Sequence, residues 1–411
     1  MQQPRFFLAF FVLPLFTLLL GWQLGQNYEQ KHELIHGKDT GSGTVLQDPE
    51  HQADLSMLWG VWRLLLTHYI EPEKLQSTTL IEGAVRGLVA AIGDPYTVFM
   101  TPKENGDFRD SLSGHLQGIG AELAVRDADI IVVAAIKGSP AEKAGLLPQD
   151  AIVAVDDVEL TGLSLQDVVS KIRGPKGTQV TLTVLRPHTT AALTFTIVRD
   201  DIHIPSTEYT VKKTATGSVG VLTISQFGTD TIREVKDILV QVHEKDLRGL
   251  IIDLRYNGGG YLEGAVDLTS LFLRSGKVVS VERRDKETDV HMVSGGPLLP
   301  KIPMVVLINQ GTASASEIVA GALQDHKRAT VVGMKSFGKG TVQEVIDLPG
   351  GSSLRVTIAH WLTPNGKNLG KEGVTPDITV DRSKEDFLGN RDPQMDAAVT
   401  WLLGHKMGIK E

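Results

Sequence analysis

From Phe6 to Gly25 the chain is almost unbroken in apolar residues. As a helix this run of roughly 20 residues would be about 30 Å long, matching the hydrocarbon thickness of a bilayer. Arg5 and the terminal amine precede it, a positive flank that predicts a cytoplasmic start and places the chain beyond Gly25 on the far side. No small-x-small cleavage site comes after it, and the run is longer than an ordinary secretory core. An uncleaved signal anchor over 1–25 is therefore expected rather than a removed signal peptide. Residues 26–50 are polar, with glycines at Gly37, Gly41 and Gly43, and read as a flexible tether.

Beyond the tether the apolar period becomes helical. Leu55, Leu58, Val61, Trp62, Leu65 and Tyr69 predict one amphipathic helix, and Leu80, Ala84, Val85, Leu88 and Ile92 a second. Gly93-Asp94-Pro95 breaks the second, so a small helical region is expected over 51–113. From His115 short β-rich runs take over, at Ile130–Ala134, Ala151–Val155 and Val180–Leu185, with helices expected at 139–146 and 166–172. These make a compact α+β module over 114–200. The remainder, 201–411, alternates buried strands (Leu250–Leu254, Met304–Ile308, Ala329–Val332) with helix faces (Leu262 to Phe272, Ser316–Gln324). Strand followed by helix, repeated, predicts an α/β core. A last amphipathic segment at Met395–Leu403 is expected to pack back on it.

Composition narrows the chemistry. The 411 residues, 41% hydrophobic, suffice for two or three cores, and the net charge of −8 disfavours a broad surface for nucleic acid, so no nucleic-acid partner is expected. There is no cysteine, which removes thiol nucleophiles, thiolate metal sites and disulfides together. Any covalent catalysis must then use Ser, Thr, Lys, Tyr, His or a carboxylate.

Three segments carry candidate chemistry. The strand Leu250–Leu254 runs into Arg255-Tyr256-Asn257-Gly258-Gly259-Gly260 just before a helix. Amides bared at such a turn bind a phosphate or an oxyanion, although a plain structural turn is the commoner meaning. In Asn309 to Ile318, Ser314 stands where a strand ends and a helix begins, which presents its hydroxyl beside the positive helix end. Ser314 with Glu317 also spells a capping box, and on this segment alone capping is the commoner reading. In Ser336 to Gln343, Lys339, Thr341 and Gln343 share one strand face, and Lys339 lies between Gly338 and Gly340. A buried lysine there would lose its proton and serve as a base toward a serine, whereas an exposed hairpin lysine would do nothing.

The α+β module opens with Gly118-Ile119-Gly120-Ala121, followed by Ser139-Pro140-Ala141-Glu142-Lys143-Ala144-Gly145 and the turn Leu147-Pro148-Gln149-Asp150. It resembles a PDZ domain over about Gly114 to Arg199, which implies that an extended peptide adds to a strand edge with its carboxylate held by the amides of residues 118–121. Gln149 departs from the glycine usual in that turn.

Taken together, the segments resemble the carboxyl-terminal processing peptidases, the tail-specific S41 serine proteases, over nearly all of the chain beyond the tether. Further matches are Gly93-Asp94-Pro95-Tyr96-Thr97, Thr363-Pro364-Asn365-Gly366 and Gly373-Val374-Thr375-Pro376-Asp377. The resemblance implies a multidomain chain: an N-terminal transmembrane helix, a small helical region, a PDZ domain and an α/β, crotonase-like protease core. It assigns the nucleophile to Ser314, the general base to Lys339, the orienting residue to Gln343 and the oxyanion amides to Gly260 and Ala315. Gly258 replaces the proline common in that turn, which predicts a looser oxyanion loop.

The implied function is a membrane-anchored, extracytoplasmic serine endopeptidase on the inner membrane. It would cut proteins held by their carboxyl-terminal tails, with no metal and no cofactor. The sequence leaves the oligomeric state open. Three other readings compete. A Ser-His-Asp triad could draw on His326 beside Asp325, or on His360. The chain could instead be a catalytically silent PDZ adaptor binding protein tails, or a crotonase-type acyl-CoA enzyme using the glycine turn. Glu317 is expected to serve the helix start rather than to pair with Lys339.

Overall fold

A computed structural model describes residues 54–126, 129–189, 191–242, 247–370 and 372–404. The predicted anchor and tether, 1–25 and 26–50, lie outside the described residues, and no described helix is long and apolar enough to cross a membrane.

The chain divides into a unit ending at Ile81 and one running from Glu82 onward. The first holds α1 (Ser56–His68), a 3₁₀ turn at Pro72–Lys74 and the start of α2 (Ser77–Ala90). Both helices fall where the apolar period predicts them. Their apolar faces nevertheless stay largely exposed, Leu58 and Val61 among them, and of α2 only Val89 is buried.

In the second unit the region expected to be helical contains one strand, β1 (Val98–Met100), ahead of α3 (Pro102–Ser113). Thr101 and Glu104 close a capping box on α3, so the helix has a defined start. A two-stranded ribbon, β2 (His115–Gly118) with β9 (Asp200–His203), leads into and out of the next module. That module is a sheet of β3 (Ala121–Arg126), β4 (Asp129–Ala135), β5 (Ala151–Val155), β7 (Gln179–Leu185) and β8 (Leu193–Val198) in that order, with β6 (Val158–Glu159) beside β5. Two helices, α4 (Pro140–Ala144) and α5 (Leu165–Ile172), cover it.

Val132, Val168, Val180, Leu182 and Val184 fill this core without exposure. Each such side chain contributes on the order of 1.5–3 kcal/mol. Gln149, in the turn where glycine is usual, adopts φ +72°, so a side chain is carried in a left-handed backbone there. Beside it Asp150 is fully buried and takes both Arg186 Nε and an Arg186 terminal nitrogen at 2.8 Å. Among the described residues the strand β3 is an edge, hydrogen-bonded to β4 alone.

The α/β core is a six-stranded sheet in the order β10 (Thr207–Thr214), β11 (Gly217–Ile224), β12 (Gly249–Asp253), β15 (Met304–Ile308), β16 (Thr330–Gly333), β19 (Ile378–Thr379). It is parallel from β11 onward. Alternate residues serve opposite faces, as a period of two requires. Leu250 and Ile252 pack with α6 (Thr231–Leu239), α7 (Leu262–Ser270) and α8 (Ala315–Asp325), whereas Ile251 packs with Met395, Ala398 and Leu402 of α10 (Pro393–Gly404). The short α9 (Lys384–Leu388) precedes α10.

A second, antiparallel sheet joins β1, β18 (Ser353–Leu362), β13 (Lys277–Arg283) and β14 (Thr288–Met292), with β17 (Thr341–Asp347) also on β18. This sheet faces the carboxyl ends of β12 and β15 with the stretch after Ser336, and it brings the residues just before β1 beside them.

Candidate active site

The two adjacent parallel strands β12 and β15 end side by side, and the turns after them hold two of the three segments. Ligands in open α/β sheets gather at such carboxyl ends. The turns are laced to each other: Asn257 O accepts from Ala313 N at 3.0 Å and from Ser316 Oγ at 3.0 Å, and Asn309 Oδ1 accepts from Tyr256 N at 2.9 Å. Arg255 is spent on Asp253 and Asp392, which makes it a structural clamp rather than a phosphate grip.

Ser314 sits on the tight turn into α8 with φ +57° and ψ −120°, outside the regions that non-glycine residues ordinarily adopt. Strain of this kind costs about 1–3 kcal/mol and persists only where the surroundings hold it. Gly259 is one such holder. With φ +105° it lies so close that an added Cβ would fall 2.7 Å from Ser314 Cβ.

The capping box that Ser314 and Glu317 spell forms only in part. Ser314 N donates to Glu317 Oε2 at 2.9 Å, but Glu317 N goes to the Ser314 carbonyl at 2.8 Å and leaves the hydroxyl out. Glu317 is fully buried and does more than start a helix. Its carboxylate also accepts Ser336 Oγ at 2.6 Å, Gly338 N at 2.7 Å and Lys339 N at 2.9 Å. The negative charge is thus met by backbone and hydroxyl dipoles, and the Lys339 ammonium is not its partner. That agrees with the expectation that Glu317 and Lys339 do not form a side-chain pair, while giving the carboxylate a role that its spacing alone does not suggest.

Lys339 is positioned by its backbone. Its carbonyl accepts Trp361 Nε1 at 2.8 Å, and Gly340 packs so tightly on Gly370 that a Cβ would come within 2.5 Å of Gly370 N. Burial pushes the Lys339 amine below the ordinary lysine range, and the nearby positive charge of Arg355 pushes it the same way. The negative charges of Asp94 and Glu317 oppose them. The amine lies 4.9 Å from the centre of the Tyr96 ring, whose face also favours the charged form. Among the described residues no hydrogen bond joins the Ser314 hydroxyl to the Lys339 amine. Catalytic hydrogen bonds are often loose before substrate arrives.

Gln343 lies beside Thr341 on β17, but Lys339 precedes that strand, and the Gln343 amide donates to Thr341 Oγ1 at 2.8 Å and Thr357 Oγ1 at 3.3 Å rather than meeting Lys339. Thr357 in turn donates to Asp94 Oδ2 at 2.6 Å, and Thr97 Oγ1 reaches the same oxygen at 2.6 Å. The Asp94–Thr97 stretch therefore belongs to the site, a placement that the motif alone does not reveal.

Ser314, Ala315, Lys339, Gln343 and Gly260 all line one cavity of about 540 Å³. Among the described residues Gly260 N makes no hydrogen bond. The bridge to Phe227 uses Phe227 N with Gly259 O and Tyr261 N with Phe227 O, which skips Gly260 N. Ala315 N is a first-turn amide without an intrahelical partner. Gly258 meets nothing within 4 Å of an added Cβ, so a side chain would fit there. His326 and His360 line no part of the cavity, and His326 Nε2 is 2.7 Å from Lys277 O. Gly118 to Ala121 lie elsewhere, at the junction of β2 with the edge strand β3. Ile119 is buried in the PDZ-like core, and Gly120 at φ +74° packs against Ser139.

Residues 218–380 match the profile of Peptidase family S41, 131–186 a PDZ domain, and 20–104 the Activating protease CtpB N-terminal domain. A "Probable CtpA-like serine protease" of Staphylococcus aureus (strain MRSA252) is 38% identical over 339 residues, covering 82% of this chain and 67% of the relative. A solved "Putative S41 protease" from Bacteroides fragilis is 16% identical with a TM-score of 0.55, covering 87% of this chain and 99% of that one, a likeness of fold. The solved photosystem II D1 C-terminal processing protease is 29% identical with a TM-score of 0.48, covering 79% and 92%.

Proposed function

The chain belongs to peptidase family S41 as a serine-type, carboxyl-terminal processing peptidase with a PDZ domain, and from that premise we propose that Ser314 and Lys339 form its catalytic dyad. The observation that carries this reading is the shared cavity: a serine held in a strained turn and a lysine whose amine is biased toward its neutral form, with one buried carboxylate fixing both backbones.

In the proposed reaction neutral Lys339 takes the proton of Ser314 Oγ as that oxygen attacks the peptide carbonyl. The oxyanion that forms lies toward the Gly260 and Ala315 amides. Lys339 then passes its proton to the leaving amine, the C–N bond breaks, and water repeats the sequence on the acyl-enzyme with Lys339 again as base. For catalysis the lysine must turn from the Tyr96 face to Ser314. Gln343 donates through Nε2 to Thr341 and Thr357, and its Oε1 is the atom that would accept from the Lys339 amine once the lysine turns. Apolar side chains in the cavity, such as Ile318, Val281 and Val345, suit an apolar residue at the cut.

Substrate is delivered as an extended carboxyl-terminal tail added to the open edge of β3, with its carboxylate at the Gly118–Ala121 turn. The apolar run Phe6–Gly25 anchors the enzyme in the inner membrane by a single pass, with the catalytic part on the extracytoplasmic side. The test is cleavage of an unfolded protein with an apolar carboxyl end. Ser314→Ala and Lys339→Ala are each expected to lose at least about 10³-fold in rate. Unchanged cleavage in either variant removes that residue from the mechanism. Binding of tails with no turnover by the unaltered chain would instead leave an adaptor.

A further inference from the structure

The ribbon that carries the PDZ domain holds a cluster remote in role from the peptidase chemistry. His115 on β2 and His203 on β9 are directly paired across the two strands, with their rings 4.9 Å apart. Asp230, which leads into α6 of the protease core, faces both. His115 Nε2 is 3.2 Å from Asp230 Oδ2, and His203 Nδ1 is 4.0 Å from the same oxygen. One ligand atom from each of the three residues fits within a 4.8 Å span. The edges of a tetrahedral zinc site with bonds of about 2.0–2.1 Å are roughly 3.3 Å, so a small inward adjustment suffices.

The outer contacts are those a metal-bound histidine needs. His203 Nε2 meets Glu234 Oε1 at 2.9 Å, which leaves the lone pair on Nδ1. Glu234 is itself fixed by Ser206 N at 2.9 Å, Ser206 Oγ at 2.9 Å and Thr207 Oγ1 at 3.0 Å. His203 Nδ1, the atom facing Asp230, is buried and has no hydrogen-bond partner among the described residues. A cavity of about 270 Å³, lined by His203, Asp230 and Glu234, opens beside it. The hydrogen bond from Arg233 holds the Asp230 carboxyl below the usual range, with His115 acting the same way against the opposing effect of burial. Arg233, 3.0 Å from Asp230 Oδ2, is largely exposed and free to swing into solvent, so it competes with a cation without blocking it.

We propose that His115, His203 and Asp230 form a divalent transition-metal site, best suited to zinc, that fastens the entry and exit strands of the PDZ domain to the start of α6. Two imidazoles and one carboxylate are borderline ligands that favour zinc over magnesium or calcium, with a fourth position left to water. A metal here cross-links elements far apart in sequence and so limits how the PDZ domain moves on the core.

The test is metal binding and needs no turnover, so it stands apart from the dyad. The full-length chain in detergent, without a polyhistidine tag and stripped with chelator, is dialysed against Zn²⁺. One ion per chain at micromolar free metal is expected, with a higher melting temperature on binding and Co²⁺ giving the visible bands of a tetrahedral site. His203→Asn and Asp230→Asn are expected to weaken uptake at least tenfold, and His188→Asn, in a PDZ turn, to leave it unchanged. If His203→Asn fails to fold, the exposed His115→Asn decides. Absence of saturable uptake, or uptake indifferent to all three cluster variants, overturns the site.

Discussion

Ser314 and Lys339 share a hydrogen-bond acceptor: the backbone N–H of each donates to Glu317 Oε2, and both distances are 2.9 Å. The serine turn after β15 and the lysine loop before β17 are thereby tied by one buried oxygen, and the second oxygen takes Ser336 Oγ and Gly338 N. The carboxylate has no other hydrogen-bonding duty among the described residues, so the relative placement of the two turns depends on it.

Glu317→Gln tests this dependence with almost no change in volume. One carboxylate oxygen becomes an amide nitrogen, which cannot accept; turned toward Ser336 Oγ, whose hydroxyl can accept instead, it still leaves Gly338 N facing a donor. Hydrogen bonds to a charged group contribute about 1.5–3 kcal/mol each, so a stability loss of at least ~1.5 kcal/mol is expected in chemical denaturation. Peptidase turnover should fall more than tail binding does, because the PDZ strands are not touched. Activity within twofold of the unaltered chain would show that the shared acceptor does not set the site.

The proposed neutral base Lys339 implies a pH dependence of known sign. A base working as a free amine gives a rate that rises with pH through its pKa and then levels off. Burial and Arg355 depress that pKa, so removing the guanidinium in Arg355→Met should move the rising limb to higher pH. Asp94 acts oppositely, and Asp94→Asn should move the limb to lower pH. The measurement is kcat/KM against pH for the three forms. Limbs that coincide, or that move in the same direction, would mean that another group titrates.

Much of the fold is readable where one physical constraint dominates. Met304–Ile308 coincides with β15, because a parallel strand buried on both faces is continuously apolar. The antiparallel sheet is harder to read: β1 has three residues, and β17 and β18 mix Thr, Arg, Gln and Glu with apolar positions. The cavity residues Ser314, Lys339, Gly260 and Ala315 stand out through glycine spacing and segment resemblance. The partners of Glu317 do not, since local sequence suffices to make it a capping residue. The link from Asp94 to Thr357 spans 263 positions and leaves no local trace.

The glycines of the turn separate by position. Gly258 has open space where a Cβ would point and no left-handed φ, so Gly258→Ala should stabilise by about 0.4–1 kcal/mol through a less flexible unfolded chain. Gly260 has φ +144°, and its Cβ would fall 2.1 Å from Phe227 O. Gly260→Ala must move the backbone that bears the proposed oxyanion amide. Loss of one such donor costs about 10²–10³ in kcat, and a loss of that order is expected with KM little changed. Equal behaviour of the two variants in steady-state kinetics would contradict the assignment of the amide.

The lowered pKa of Lys339 implies a cost in stability that can be measured apart from its proposed chemistry. Its pKa is lower in the folded chain than in the unfolded one, so between those two values the unfolded state binds more protons and stability rises with pH. At neutral pH, below the ordinary lysine range, the folded state carries the penalty of a partly buried amine. Lys339→Met keeps the stem and removes the charge, and it should therefore raise the melting temperature at pH 7 while abolishing cleavage. The gain should shrink as pH climbs toward the ordinary lysine pKa, because the unaltered chain then loses its penalty. A variant that melts lower than the unaltered chain at pH 7 would show that the amine is stabilised as a cation, as by the Tyr96 face and Asp94, and a neutral base at rest would be untenable.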